Sequence, residues 1–145
     1  MKKLAALATV GVLALTGCTT PSPTAAAYVG DTRISQADVD TMAAALAEVT
    51  DDPTDTGSAF AKPVVQFVIV SKLARTGAEK AKIVVTDAQR AAVHAANPSL
   101  ATFAKNPALT TFISDLVDAQ AILGTEAGHA AYAEQVASTP VQVNP

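Results

Sequence analysis

The stretch YVGDTRISQADV, from Tyr28 to Val39, sets the start of the fold. Its first two residues favour an extended segment, and Gly30-Asp31 is a pair that forms turns. Ser35 follows as a helix cap with an aspartate three residues later, and Ile34 is spaced to pack against Val39 across that cap. The sequence therefore predicts a short extended segment, a turn and a helix that begins directly after Ser35.

The sequence from Ser35 onward predicts five helices. They run from Ser35 to near Thr50, from Lys62-Pro63 to Lys82, from Thr86 to before Asn97-Pro98, from Asn106-Pro107 to Gly124, and from Thr125 to Ala137. Proline, glycine or a Thr-x-x-Gln capping box marks most of their ends. The second helix has an apolar centre over 64–73 and is expected to be the most buried, although its β-branched residues leave a strand as an alternative.

Two further segments have extended character. These are Ile83–Val85 and Val141–Val143, and the second is expected to pair with Val29 or with the first in a small sheet. The composition agrees with one mainly helical domain, because the 145 residues include 32 alanines and no tryptophan. We therefore predict a mainly α fold of about five helices with a minor β pairing of the terminal extended segments.

The first 17 residues have the organisation of a bacterial export signal. Met1-Lys2-Lys3 is basic, and Leu4–Leu15 is an apolar run too short to span a bilayer. Leu15-Thr16-Gly17-Cys18 resembles the lipobox of bacterial lipoproteins, in which diacylglycerol is attached to the cysteine thiol before cleavage in front of it. We expect removal of residues 1–17 and a lipid on Cys18; the alternative is an ordinary secretory peptide with an incidental cysteine.

Lipidation would hold the protein on the extracytoplasmic face of the cell membrane. Acyl chains contribute about 0.8 kcal/mol per buried CH₂, so two or three chains anchor a protein firmly. The sequence after Cys18 is polar, contains prolines and lacks a periodic apolar face, as tethers do. The expected organisation is therefore a signal peptide over 1–17, a lipidated cysteine and flexible tether over 18–27, and a helical domain over 28–145.

No catalytic or metal-binding arrangement is predicted. Cys18 is the only cysteine, and the two histidines, His94 and His129, lack a third metal ligand, although Glu126 lies one helical turn before His129. The acidic loop 51–58 has the Asp and Gly density of a calcium loop, but its register lacks the oxygen ligands and the final glutamate. We expect no enzyme activity, no metal and no cofactor.

The charge distribution argues against nucleic acid as a partner. The formal net charge is −3, and no Lys or Arg follows Lys105, whereas Asp115, Asp118, Glu126 and Glu134 do. The C-terminal third would therefore repel polyanions and anionic headgroups. Membrane contact is expected to come from the lipid on the N-terminal cysteine instead.

Val29–Asp40, Ala78–Asp87 and Val141–Pro145 are three segments that resemble the N-terminal domain of SurA-type extracytoplasmic chaperones, as small actinobacterial lipoproteins carry it. Val29–Asp40 is similar to the opening Val-Asn-Gly-x-x-Ile-Thr-x-x-Asp/Glu-Val-Asp, with Gly30-Asp31 in place of Asn-Gly. Ala78–Asp87 is similar to the junction Ala-x-x-x-Gly-Ile-x-Val-Thr-Asp, with Lys82 in place of glycine, which costs about 1 kcal/mol if that residue is left-handed. Val141–Pro145 is similar to the start of the ending Val-x-Val-Asn-Pro-Arg-Tyr-Gly.

The resemblance implies a SurA-N or trigger-factor-like helical domain without a parvulin isomerase domain. Such a domain would present an apolar groove to unfolded or extended segments of exported proteins and hold them without covalent chemistry. The candidates for groove residues, each of which is more readily explained as a core residue, are Val39, Met42, Leu46, Phe67, Phe103 and Phe112.

Two other classes of function fit the same sequence. A dedicated interaction lipoprotein would bind one folded partner of the cell envelope through one patch, whereas a chaperone would bind many unrelated apolar peptides. A lipoprotein that binds a small molecule or metal would need a preformed pocket with convergent polar groups, which the sparse histidines and aromatic residues do not favour. No small-molecule substrate is therefore expected.

Overall fold

Six helices and one small sheet form over the residues that the structure, a computed structural model, describes, namely 22–50 and 57–144. In chain order the elements are β1 Ala25–Val29, β2 Thr32–Ser35, α1 Gln36–Thr50, α2 Ser58–Lys80, α3 Asp87–Ala96, α4 Ser99–Phe103, α5 Thr110–Leu123, α6 Glu126–Ser138 and β3 Val141–Val143. The prediction of a mainly α domain with a minor β pairing is confirmed. The export signal, the lipobox with Cys18, and loop residues 51–56 lie outside the described residues.

The sheet joins the two ends of the described chain. Its strand order is β2-β1-β3, and both pairings are antiparallel. Val29 lies opposite Val141, which confirms the predicted pairing of the two terminal segments, and Gly30 adopts a φ of +56° in the turn before β2. Ile83–Val85 takes no part in the sheet, and Val84 is 79% exposed.

The domain begins earlier than the predicted boundary at Tyr28. The three alanines before it were expected to belong to the tether, but they form the first part of β1 and are 2%, 3% and 0% exposed. The Arg33 guanidinium bonds the carbonyl oxygen and the hydroxyl of Thr24, at 2.8 and 2.6 Å, so the chain just before β1 is also held. Alanine carries no strand signal of its own, and here its small side chain lets β1 pack closely beneath the helices.

Helix α2 is the central helix, since it packs against α1, α5 and α6. The helical interpretation of its β-branched centre is confirmed, and Val64 and Val65 are buried. The helix starts at Ser58 rather than at Lys62-Pro63, so Pro63 lies inside it, where its missing amide leaves one carbonyl without the usual helical bond. Phe67 is 47% exposed, although it lies in the apolar centre of the helix that the sequence predicts to be the most buried.

A close approach of backbones joins α2 to α6. A methyl group built on Gly77 would lie 2.6 Å from the carbonyl oxygen of Ala131 in α6, closer than side chains approach backbone in proteins. Gly77 is therefore required by the packing of two helices and not by its backbone angles. This contact fixes α6, and thereby the start of β3, which follows α6 after two residues.

The junction after α2 has the geometry that the glycine of the resembled motif would suit. Lys82 has a φ of +56° and its amide donates to the Glu79 carbonyl at 3.1 Å, while the Ile83 amide donates to the Ala78 carbonyl at 2.8 Å. These two bonds form a Schellman motif, whose left-handed residue is usually glycine. The condition attached to the lysine substitution is therefore met, because Lys82 occupies the left-handed position itself.

Helices α3 and α5 are held together by an ion pair. The predicted capping box of Thr86 and Gln89 is confirmed. In the next turn Arg90 Nε donates to Asp118 Oδ1 of α5 at 2.7 Å, and this hydrogen bond, with the charge of the same carboxylate, raises the pKa of the guanidinium.

Helix α5 starts at Thr110, later than the predicted start at Asn106-Pro107, because the Asn106 side chain accepts the Ala108 amide and closes a turn there. The predicted end of α5 at Gly124 is confirmed. Helix α6 is confirmed within one residue at each end. The short helix α4 was not predicted.

Candidate functional site

The six candidate groove residues do not line one continuous groove. Val39 and Phe112 belong to the buried core, at 0% and 8% exposure. Met42, Leu46 and Phe103 are partly buried and pack against that core, whereas Phe67 stands at the surface of α2. The structure therefore confirms the core interpretation for most of the set and leaves Phe67 as the exposed member.

One cavity opens where α1, α2 and α5 meet, and we call it the helical cavity. Its volume is about 350 Å³, and two of the candidates, Met42 and Phe112, line it. Ser71 also lines it and is 5% exposed. Asp115 and Lys72 also line it, and Asp115 is paired with Arg75. The lining thus contains side chains of both charges beside apolar ones, so it favours neither an anion nor a cation.

A second, larger cavity lies between the sheet and the start of α2, and we call it the edge groove. Its volume is about 680 Å³, within the range of binding clefts. The residues lining it are Ala26, Gln36, Val39, Ala61, Lys62, Val65, Gln66, Val143 and Asn144. Among these described residues Lys62 alone is charged, so the groove has aliphatic walls with amides and one ammonium group around them.

Strand β3 forms one side of the edge groove and is an outer strand of the sheet. The Gly30 amide donates to the Pro140 carbonyl at 2.8 Å, and the Asn144 amide donates to the Ala26 carbonyl at 2.9 Å. Because bonding positions alternate along an antiparallel ladder, the amides and carbonyls of Val141 and Val143 point away from β1. No described strand lies on that side. The outer edge therefore offers two free donors and two free acceptors.

The side chains of β3 add an apolar surface to this free edge. Val141 and Val143 lie opposite Val29 and Ala27, so they project from the face of the sheet that the helices cover. Their partners in β1 are buried, but the two valines are 42% and 56% exposed because the helices do not extend over the edge. The groove and the valines together form an apolar surface beside unpaired backbone.

Asn144 closes this surface at the end of β3. Its Nδ2 donates to the carbonyl oxygens of Ala25, at 2.6 Å, and Ser22, at 3.1 Å. Two carbonyl partners fix which side of the amide is the nitrogen. The other atom, Oδ1, is therefore held as an acceptor, and it is buried without a donor. Buried polar atoms without a partner are uncommon in folded proteins.

The residues considered for catalysis are not brought together into a site. His94 and His129 are both exposed, as is Glu126. In the described ranges, no group of three or more His, Cys, Asp or Glu side chains is placed to hold a metal ion. None of the helices described there is long and apolar enough to cross a membrane.

The edge groove is not predicted by the sequence. Val141–Val143 is predicted only as a pairing segment, and Asn144 belongs there only to the resembled ending. The alternation Val-Gln-Val gave a usable signal, since it places both valines on one face. What the pattern does not contain is that the helices stop short of that face.

Searches of protein-family models, of curated proteins and of solved structures find no match to this chain. The similarity to SurA-type N-terminal domains thus rests on the three short motifs alone. The architecture itself defines a small helical domain closed by a three-stranded sheet, with an apolar groove at one sheet edge.

Proposed function

We propose that this protein is a lipid-anchored, extracytoplasmic lipoprotein that binds unfolded or extended polypeptide segments without catalysing a reaction. The observation that carries the binding half is the edge groove, in which about 680 Å³ of largely aliphatic space adjoins exposed valines and unpaired backbone. Such a surface suits a chain whose own backbone and apolar side chains are exposed, and a folded protein seldom offers both.

The anchoring half rests on the N-terminal sequence. A basic start, a short apolar run and Leu15-Thr16-Gly17-Cys18 occur in the order that lipoprotein export requires. From Ser22 onward the chain is tied to the sheet, so four residue steps from Cys18 span at most about 14 Å. A lipid on Cys18 would therefore hold the domain close to the bilayer, on a shorter tether than residues 18–27 would give.

The anchor is tested by comparing the full chain with Cys18→Ser. We expect the wild-type protein to lose residues 1–17, to gain the mass of a diacylglyceryl group on Cys18 and to sediment with membranes. The variant should lack the lipid mass and, because lipid attachment precedes cleavage, should keep residues 1–17. Recovery of an unlipidated, cleaved wild-type protein from the soluble fraction would show an ordinary secretory signal instead.

The binding activity is tested with several unrelated unfolded proteins and an array of their peptides. We expect the protein to slow their aggregation and to bind many apolar segments with micromolar affinity, with little dependence on salt because the groove has one charged lining residue. Binding to none of them would overturn the proposal. Capture of a single folded envelope protein would support a dedicated interaction lipoprotein.

A further inference from the structure

We propose that the client segment binds as a fourth strand of the sheet, paired to the outer edge of β3, with alternate side chains in the edge groove. This inference rests on the proposed function, because the segment is the extended polypeptide that the protein is proposed to hold. It adds the mode of binding and the surface. The sheet would then have the order β2-β1-β3-client.

The backbone of β3 supplies the first reason. The outward amides and carbonyls of Val141 and Val143 repeat along the strand at the spacing that another strand's main chain matches. Main-chain pairing is independent of side-chain identity, so it accommodates clients of unrelated sequence. An extended segment, which has unpaired amides and carbonyls of its own, satisfies these groups along its whole length.

The groove supplies the second reason, since it sets which side chains the strand carries. In an added strand, residues that face the same way as Val143 lie over the space between Val143, Val39 and Val65. Aliphatic walls favour apolar side chains at these alternate positions. Lys62 beside them favours an acidic residue at the flank of the segment.

The size of the edge favours a client segment over a second copy of the chain. Three residues of strand span roughly 10 Å, so two β3 edges placed together would bury far less than the roughly 1,200 Å² typical of stable interfaces. A flexible segment adapts to the edge and fills the groove as well. We therefore assign the surface to an extended polypeptide.

The test uses the full chain and a soluble probe peptide that alternates valine and threonine and ends in glutamate. Two further probes carry N-methyl groups, one on every valine and the other on every threonine. When the probe is bound as a strand, its valine side chains all lie over the groove. Either the valine amides or the threonine amides then point at β3, but not both, because bonding positions alternate along a strand. One methylated probe should therefore bind like the parent, and the other at least about ten-fold more weakly. Antiparallel addition predicts that the weak binder is the valine-methylated probe.

Variants of the protein give an independent arm. Val143→Pro removes an outward amide, at an edge position where proline is compatible with a strand. It should weaken the parent probe about ten-fold, whereas the control Gln142→Ala, which changes the opposite face and keeps every backbone group, should leave the affinity unchanged. The methylated probes keep the test valid if the proline variant does not fold.

The outcomes separate this inference from the proposed function. Equal binding of both methylated probes overturns strand addition while leaving polypeptide binding intact. Failure of the parent probe and of unrelated unfolded proteins to bind overturns the proposed function and this inference with it. Self-association of the wild type would contradict the inference if Val143→Pro abolishes it and the probe does not reduce it. That result would assign the edge to a second copy of the chain and overturn its assignment to a client segment.

Discussion

The two outer strands of the sheet, β2 and β3, each pair with a described strand on one side only, but their side chains differ in chemistry. Arg33 of β2 lies opposite Tyr28, whose backbone amide and carbonyl point toward β3. Arg33 and Tyr28 therefore do not hydrogen-bond each other, and the backbone amide and carbonyl of Arg33 point outward from the sheet. Its long cationic side chain folds back to bond Thr24. On the other edge the outward residues are two exposed valines beside an apolar groove.

The difference indicates that one edge is protected and the other is available. Charged side chains on an outer strand oppose pairing with another strand, because the charge would have to be desolvated. The β2 edge has this protection at Arg33, and β2 is followed immediately by α1. The β3 edge has no charged side chain within Val141–Val143. An edge left apolar beside a groove is consistent with use in binding.

The largest effect is expected from a substitution that disturbs the packing of α6 on α2, since α6 leads into β3. Gly77→Ala places a methyl group 2.6 Å from the Ala131 carbonyl oxygen, so α6 must move away from α2. We expect a loss of about 3 kcal/mol in the free energy of unfolding, measured by urea denaturation, and weaker probe binding in the variant that remains folded. The control Gly124→Ala has its closest contact at 3.2 Å and an ordinary φ of −71°, so its change should be much smaller.

A charged side chain, which protects the β2 edge, can be introduced on the β3 edge. Val143→Lys places a charge on the β3 edge and should weaken binding of the valine–threonine probe about ten-fold, because the ammonium group would be covered by the added strand. Thr32→Lys adds the same charge to β2 and should leave binding unchanged. Both positions are exposed, so thermal melting should shift little in either variant. Equal loss of affinity in the two variants would remove the distinction between the edges.

Smaller effects are expected when the side-chain hydrogen bonds that hold the start of β1 are removed. Asn144→Ala removes part-buried bonds to Ser22 and Ala25 and should lower the unfolding free energy by about 1 kcal/mol. Arg33→Ala removes exposed bonds to Thr24, for which water substitutes, and should cost less than about 0.5 kcal/mol. Chemical denaturation of both variants in one buffer measures the difference. A larger cost for Arg33→Ala would place the main tie on the β2 side.

The smallest effect is expected at Lys82, which lies away from both sheet edges, so a change there should alter the free energy of unfolding without altering probe binding. Lys82→Gly relieves the left-handed conformation at the end of α2 and should raise the unfolding free energy by about 0.5–1 kcal/mol. Lys82→Ala removes the same charge without relieving the backbone, so it should not stabilise. Both variants should bind the probe as the wild type does. A gain from the alanine variant equal to that from glycine would trace the effect to charge instead.

Local signals in the sequence predicted the local structure well. The Thr86 capping box and the ends of α6 are predicted correctly or within one residue, because a few neighbouring residues determine them. The start of α2 differs from the prediction because proline is typical of a first helical turn, whereas the chain enters the helix at Ser58 and accommodates Pro63 inside it. The three alanines of β1 were missed because their burial depends on helices far along the chain.

The candidate site was predicted less well, for a physical reason. Apolar periodicity indicates which residues leave water, but it does not distinguish a core contact from the wall of a groove. Met42 and Phe112 illustrate this, since both pack in or against the core and also line the helical cavity. The edge groove depends on where the helices end relative to β3, which is a property of the whole packing arrangement and not of Val143 or Asn144 alone.

Amide hydrogen exchange on the full chain, with and without saturating probe peptide, tests the account most directly because it observes both edges in one experiment. The outward amides of Val141 and Val143 should exchange at least about ten-fold more slowly with the probe bound, and the outward amide of Arg33 should be unchanged. Binding of the probe with no slowing at Val141 and Val143, or with equal slowing at Arg33, would contradict the proposal that clients bind along the β3 edge.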